Sequence, residues 1–106
     1  MNTARLKALL ERHESSPFPT MDSDNEAYGD WLDRLAEIDP YYVGLAISLL
    51  NGEKSLKINF SYIEDLKNQL HNFSSFENSS GDIKIGREYL NTLNDIVELL
   101  KNDPYR

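Results

Sequence analysis

The sequence predicts an all-α fold: a single domain, residues 1–106, built as a bundle of about five helices around a central apolar helix at residues 40–50. Its 106 residues are the size of one domain. Apolar residues recur three and four positions apart along most of the chain, which is the helical period. Only residues 54–60 alternate with the period of a strand. Because no second such segment can pair with them, we expect an extended connector there.

The first apolar stripe predicts a helix from about Thr3 to Glu14. Its members are spaced at i, i+3, i+4 and i+7: Leu6, Leu9, Leu10 and His13. Asn2 or Thr3 can cap its start. Pro17 and Pro19 end it, because proline lacks the backbone N–H and disfavours helical geometry in the residue before it. Residues 15–22 are therefore expected to be a loop.

A second helix is expected from about Ser23 to Asp39. Its apolar side carries Tyr28, Trp31, Leu32 and Leu35, and its opposite side carries Glu26, Asp30, Asp33 and Glu37. Asp39 and Pro40 then predict a boundary, with aspartate as the N-cap of a third helix and proline in its first position. The third helix, about Pro40 to Leu50, is apolar nearly all round, which is typical of a helix that its neighbours cover. Asn51 and Gly52 supply its stop.

Two more helices complete the predicted bundle. The fourth runs from about Ser61 to Asn72 on a stripe of Ile63, Leu66, Leu70 and Phe73. Residues 72–82 are rich in Asn and Ser, which predicts a loop. The last helix is expected from about Lys84 to Lys101, on a broad stripe of Tyr89, Leu90, Leu93, Ile96, Val97 and Leu100.

Composition argues against several classes of function. Eleven Lys and Arg against 18 Asp and Glu give a net charge of -7, whereas nucleic-acid binding requires basic side chains that neutralise phosphates. No nucleic-acid partner is therefore expected. The longest apolar stretch, Tyr41 to Leu50, is half of the ~20 residues that a membrane-spanning helix needs, so no membrane partner is expected. The chain has no cysteine and no apolar leader at its start, which favours a cytoplasmic location.

The negative charge is concentrated in one segment. Residues 22–39 contain seven acids and one base, Arg34, so the segment alone carries -6 of the total -7. Such a cluster can be a solvated helix face, or it can be a docking surface that steers a basic protein partner. On the second interpretation a half-exposed tyrosine after the cluster would act as the anchor. The predicted partner-binding residues are Glu26, Asp30, Asp33, Glu37, Tyr41 and Tyr42.

The sequence offers no convincing catalytic, cofactor or metal site. Neither His13 nor His71 has a second ligand at i+3 or i+4, so we expect boundary histidines bonded to carbonyls. The acids from Asp22 to Asp33 fit a calcium loop only in part, since Ala27 stands where that loop requires glycine. No glycine-rich phosphate loop or nucleophile elbow is present. The expected protein is not an enzyme and holds no cofactor or metal, although a small enzyme or metal site using either histidine is kept as a minor hypothesis.

The preferred hypothesis is a small non-enzymatic acidic interaction module that docks a protein partner through the acidic helix face, and the local charge favours a basic partner. One alternative is a structural domain that forms a homodimer through the apolar third helix and uncovered parts of the last helix. Acidic helices with Asp39, Tyr41 and Tyr42 also loosely resemble bacterial immunity proteins that neutralise nuclease toxins. The likeness covers only those residues and the composition, and the proline and the spacing depart from that family's pattern. It implies a second alternative, an immunity- or inhibitor-like protein that neutralises a basic partner.

Overall fold

The computed structural model describes residues 3–20, 26–53, 57–74 and 81–101, and it confirms the all-α class. The described helices are α1 (Thr3–Ser15), α2 (Glu26–Leu50), α3 (Ser61–Ser74) and α4 (Gly81–Lys101). No residue in these ranges belongs to a strand. None of the described helices combines the length and the apolar character needed to cross a bilayer.

The bundle has four helices rather than about five, because the predicted break at Asp39 and Pro40 does not occur. α2 continues through Pro40. Its buried stripe keeps the helical spacing on both sides of the proline, through Leu35, Ile38 and Tyr42. Pro40 and Ala36 both lie on the exposed side. The carbonyl of Ala36, which loses its N–H partner to the proline, therefore lies where water can bond it.

The molecule is organised around the whole of α2, not around residues 40–50 alone. Helices α2, α3 and α4 each contact the other two, and α1 packs against α2 and α4. In the described ranges α1 does not contact α3. The three-helix unit therefore has one seam, between α2 and α4, that α1 covers. Its other two seams, α2–α3 and α3–α4, are the places where open grooves are found.

Two apolar clusters form the core. The larger joins α2, α3 and α4 around Trp31, whose indole N–H donates to the Leu66 carbonyl at 2.9 Å. The smaller joins α1 to α2 and α4 through buried residues: Leu6, Leu9, Leu10, Ala46, Ile96 and Leu100. Residues 40–50 thus supply side chains to both clusters, and the expectation that they form a separate central helix is corrected.

Gly86 allows α4 to approach α2 closely. A Cβ atom at this position would lie 2.5 Å from the Tyr28 hydroxyl oxygen and 3.0 Å from Trp31 Cζ3. Any side chain would therefore force the two helices or these aromatic rings apart.

Several helix ends lie where the local sequence signals predict them, and the end of α3 and the start of α4 do not. Residues 16–20 are not helical after α1, and residues 57–60 are irregular, as predicted. Gly52, with a φ of 92°, ends α2 in a Schellman motif, in which the Glu53 N–H donates to the Ser48 carbonyl at 3.0 Å. Helices occupy both ends of the predicted loop at 72–82, because α3 continues to Ser74 and α4 already begins at Gly81, and residues 75–80 lie outside the described residues. Ser23, the predicted start of the second helix, lies outside the described residues.

Candidate interaction surface

One face of α2 carries an exposed row of carboxylates, here called the acidic stripe: Glu26, Asp30, Asp33 and Glu37. All four residues are exposed. They occupy the side of α2 away from Trp31 and Leu35, which are fully buried. Within the part of the chain that the structure describes, none of the four forms an ion pair. The acidic stripe is therefore a surface of uncompensated negative charge.

Arg34 lies next to the acidic stripe but is directed toward α3. Its guanidinium is 3.9 Å from the Asp65 carboxylate, and both side chains are about half exposed. An exposed pair at that distance contributes little to stability. The single base within residues 22–39 thus balances an acid of another helix and leaves the acidic stripe unneutralised.

The two adjacent tyrosines have different environments. Tyr42 is fully buried, and its hydroxyl donates to the Asn59 carbonyl at 2.6 Å and accepts from the Ile63 N–H at 3.2 Å. Burial raises the pKa of Tyr42 to about 12. Tyr41 is half-buried, and its hydroxyl accepts from the Asn59 N–H at 2.9 Å. Of the pair, only Tyr41 is placed to contact a partner. Tyr42 holds the connector before α3 against α2.

Tyr41 belongs to a groove on the α2–α3 seam, here called the tyrosine groove. The groove has a volume of about 430 Å³ and is lined by Arg34, Glu37, Ile38, Tyr41 and Tyr62. The rings of Tyr41 and Tyr62 meet edge to face, with 5.5 Å between centroids. Glu37 is both the last residue of the acidic stripe and part of the groove wall. Negative charge and aromatic surface are therefore continuous on this side of the molecule.

Tyr62 is the member of this surface that the sequence analysis missed. It stands at the start of α3, outside the apolar stripe that begins at Ile63, so helical periodicity does not single it out. It is 38% exposed. The only available signal is that a large aromatic residue lies off the stripe on an amphipathic helix.

His13 and Asp39 form a buried polar contact that joins α1 to α2. His13 is 3% exposed, and its Nε2 lies 2.5 Å from Asp39 Oδ1. Its Nδ1 lies 2.6 Å from the Thr92 hydroxyl of α4, and Tyr89 donates to Asp39 Oδ2 at 3.2 Å. Asp39 is thus a tertiary contact within α2 and not the predicted N-cap. His13 bonds a carboxylate and a hydroxyl rather than the expected carbonyl.

Hydrogen bonds connect the members of this cluster in a fixed order. The Thr92 hydroxyl donates to the Tyr89 carbonyl at 2.7 Å, so it accepts from His13 Nδ1–H. On the other side of the ring, His13 Nε2 is hydrogen-bonded to the Asp39 carboxyl group. The carboxylate and burial together raise the pKa of Tyr89, burial being the larger cause.

The order Thr92–His13–Asp39 matches a hydrolytic triad, but the geometry does not suit nucleophilic attack. Thr92 is 6% exposed and its proton is committed to a backbone carbonyl. A nucleophile must be able to reach the substrate and give its proton to the histidine. We therefore assign the cluster a structural role, which is to fix α1 on α2 and α4.

His71 lies exposed near the end of α3, far along the chain from His13 and on a different helix. No three His, Asp or Glu side chains of the described residues come together as a metal site would require. Asp22 and Asp24, the first ligands of the partial calcium-loop pattern, lie outside the described residues.

Comparison of the chain with protein-family models, with curated proteins and with solved structures gave no match.

Proposed function

We propose that the protein is a non-enzymatic interaction module that binds a basic segment of a partner protein on the outer side of α2. The acidic stripe supplies long-range attraction and charge specificity, and the tyrosine groove supplies the apolar contact. The observation that carries the proposal is the continuity of four carboxylates, which form no ion pair within the described residues, with a groove containing two partly exposed tyrosines.

The chemistry of the two parts is complementary. Rows of like charge accelerate encounter with an oppositely charged surface, but add little affinity once solvent screens them. Aromatic side chains in a groove bury large area at low entropic cost and commonly dominate binding energy. A Lys or Arg side chain of the partner can lay its aliphatic stem on Tyr41 or Tyr62 and place its charge at Glu37.

The alternative of self-association requires an uncovered apolar surface on residues 40–50 and on the last helix. Tyr42 and Ala46 are buried, most other large apolar residues of the segment are partly buried, Ile47 is 42% exposed, and Ile85 of α4 is 48% exposed. We prefer the partner-binding interpretation, because the acidic stripe is continuous with the tyrosine groove, whereas these two exposed isoleucines lie on different helices. An immunity- or inhibitor-like role is a special case of our proposal, in which the basic partner is an enzyme or toxin that binding blocks.

Affinity capture with matched charge variants tests the proposal. The test variant reverses the acidic stripe (Glu26→Lys, Asp30→Lys, Asp33→Lys, Glu37→Lys). The control reverses four exposed acids elsewhere (Glu11→Lys, Glu14→Lys, Glu53→Lys, Glu88→Lys) and so has the same net charge. We expect a basic protein that the wild type and the control retain at low salt, and that high salt and the test variant lose. Equal retention by both variants would contradict the proposal.

The tyrosine groove is tested separately with Tyr62→Ala. Because Tyr62 is 38% exposed, this change should leave the fold intact. We expect about tenfold weaker binding of the captured partner, with unchanged dependence on salt. If Tyr62→Ala changed only the salt dependence of binding and left the affinity unchanged, Tyr62 would make no direct contact with the partner.

A further inference from the structure

The tyrosine groove places one carboxylate beside two aromatic rings. Glu37 lines the groove and forms no ion pair within the described residues. The other lining residues on this side are Tyr41 and Tyr62, both partly exposed, and Ile38, which is 9% exposed and supplies an apolar base. A carboxylate next to aromatic and apolar surface favours a cation that is weakly hydrated and has a flat face.

The groove is negatively charged once the ion pairs of its lining residues are counted. Arg34 is the one base that lines it, and its guanidinium lies 3.9 Å from the Asp65 carboxylate of α3. Arg34, Asp65 and Glu37 are one base and two acids, so this group has a net charge of -1. Asp33, the next residue of the acidic stripe, is exposed and adds a further negative charge nearby. The charge of the groove therefore favours a cationic occupant, and Glu37 is the acceptor that lies in it.

The aromatic wall of the groove is held in place by contacts on several sides. The Tyr41 hydroxyl accepts from the Asn59 N–H at 2.9 Å, and the Tyr41 ring packs edge to face on Tyr42, with 5.1 Å between centroids. The planes of Tyr41 and Tyr62 are 76° apart, so the two rings do not cover each other face to face. A ring face is thus positioned before a ligand arrives, and binding there costs little conformational entropy.

We propose that the tyrosine groove is a subsite for one arginine side chain of the partner, and that it selects arginine over lysine. This proposal rests on the proposed function, since it names the anchor residue of the basic segment. A guanidinium is planar, so it can stack on a tyrosine ring and donate two hydrogen bonds to the Glu37 carboxylate at the same time. The lysine ammonium is a strongly hydrated point charge without a flat face, so it gains less from the same groove.

Three fluorescein-labelled peptides of equal length and charge test this selection on the full chain. Each has lysines separated by serine and glycine, and the central cation is lysine, arginine or trimethyl-lysine. We expect the arginine peptide to bind about tenfold more tightly than the lysine peptide at about 50 mM salt. In NMR spectra, the amides that respond differently to these two peptides should be those of Glu37, Ile38, Tyr41 and Tyr62.

Two neighbouring acids of the acidic stripe provide matched variants. Glu37→Gln and Asp33→Asn each remove one charge from the exposed side of α2, but only Glu37 lines the groove. We expect Asp33→Asn to weaken the arginine and lysine peptides by the same factor, so that their affinity ratio stays about tenfold. Glu37→Gln should lower the ratio below about threefold. Tyr62→Ala should lower it as well, because one of the two rings is removed.

The possible outcomes separate arginine selection from charge-steered docking. Equal affinities of the arginine and lysine peptides would overturn the proposal, and salt-sensitive, saturable binding of both would leave the proposed function standing. A ratio that survives both Glu37→Gln and Tyr62→Ala would place the arginine contact outside the groove and overturn the proposal. Tightest binding of the trimethyl-lysine peptide would do so too, by identifying an aromatic cage for quaternary ammonium groups. If none of the peptides bound saturably, the proposed function would fail together with this proposal.

Discussion

At the scale of single residues, Asp39 illustrates how a tertiary contact can replace a local role. Its carboxyl group is hydrogen-bonded to His13 and accepts from Tyr89, and its side chain is 18% exposed. We expect Asp39→Ala to lower the free energy of unfolding by about 1–3 kcal/mol, because it leaves the buried His13 ring nitrogen and the Tyr89 hydroxyl without their partner. Urea denaturation measures this. Asp33→Ala, an exposed acid of the same helix, should change stability by less than about 0.5 kcal/mol.

A loss below about 1 kcal/mol for Asp39→Ala would contradict the structural role of these hydrogen bonds. The cluster was only partly predictable from sequence. Helical spacing placed His13 on the buried side of α1. Its partners Asp39 and Thr92 are 26 and 79 residues away, and nothing in the local pattern relates them.

The buried tyrosine Tyr42 predicts a loss of stability in alkali. Its pKa is about 12 in the folded protein, mainly because burial disfavours the phenolate, against 10.0 as the ordinary value. A raised folded pKa gives stability that is complete below pH 10 and is lost as pH rises toward 12. Between these values the free energy of unfolding should fall by about 1.4 kcal/mol per pH unit for this group.

Urea denaturation between pH 9 and 12 checks the alkaline prediction, with Tyr42→Phe as the comparison. The variant is expected to be less stable at pH 9, because Asn59 and Ile63 lose a hydrogen-bond partner, and to have a shallower pH dependence. If the free energies of unfolding of the two proteins fell in parallel with pH, the alkaline loss would belong to other groups.

The sequence indicated that one of the adjacent tyrosines reaches the surface. Only the packing of the connector against α2 decides that it is Tyr41.

At the scale of elements, α2 shows where local signals and tertiary packing compete. Asp39 and Pro40 form a strong N-cap and N1 signal, but the buried stripe from Trp31 to Ala46 keeps one helical phase across them. Packing against α1, α3 and α4 stabilises the continuous helix more than the proline destabilises it. The starts of α1 and α3 and the end of α2 were predictable, because capping residues and glycine act locally.

Pro40→Ala should therefore stabilise the protein. The change restores the N–H that bonds the Ala36 carbonyl and removes the steric conflict of the ring, and Pro40 lies exposed, so no packing is lost. We expect a gain of about 1–3 kcal/mol in the free energy of unfolding. Thermal and urea denaturation measure it. A loss of stability would mean that the proline shapes α2 in a way that its neighbours require.

Two helical glycines give a matched test of the α2–α4 contact. Gly86→Ala should destabilise by about 1–3 kcal/mol, because the new methyl group would meet Tyr28 and Trp31. Gly44→Ala should stabilise by about 0.5–1 kcal/mol, since no other part of the described structure lies within 4 Å and alanine favours the helix. Equal effects would show that Tyr28 and Trp31 can move aside at little cost. Denaturation of both variants under one condition measures the difference.

At the scale of the whole molecule, the three seams of the α2–α3–α4 unit differ in what covers them. Helix α1 fills the α2–α4 seam with apolar side chains and the His13 contact. The α2–α3 seam carries the tyrosine groove beside the acidic stripe, and the α3–α4 seam carries a second groove beside Leu70 and Leu90. The acidic stripe could be predicted from the sequence because all four of its residues lie on one helix. Both grooves combine side chains of two helices, so periodicity within one segment does not reveal them.

The acidic stripe should also reduce the stability of the isolated protein. Asp30, Asp33 and Glu37 follow one another at helical spacing, none has a described ion pair, and the chain as a whole carries -7. Like charges at these spacings repel, and burial of a partner's cations would relieve the repulsion. We expect the variant Asp30→Asn, Asp33→Asn, Glu37→Gln to gain about 0.5–1 kcal/mol at low salt, and less when salt screens the charges.

Glu26 is left unchanged in this variant, because it lies in the first turn of α2, where a negative charge favours the helix dipole. Urea denaturation at low and at high salt measures the effect. A control variant, Glu11→Gln, Glu14→Gln, Glu88→Gln, removes the same charge from scattered positions and should gain less. If the neutralised stripe both stabilises the protein and abolishes binding of the basic partner, the acids are retained at a cost to the fold for the sake of the interaction. Unchanged stability would instead identify the acidic stripe as an ordinary solvated face.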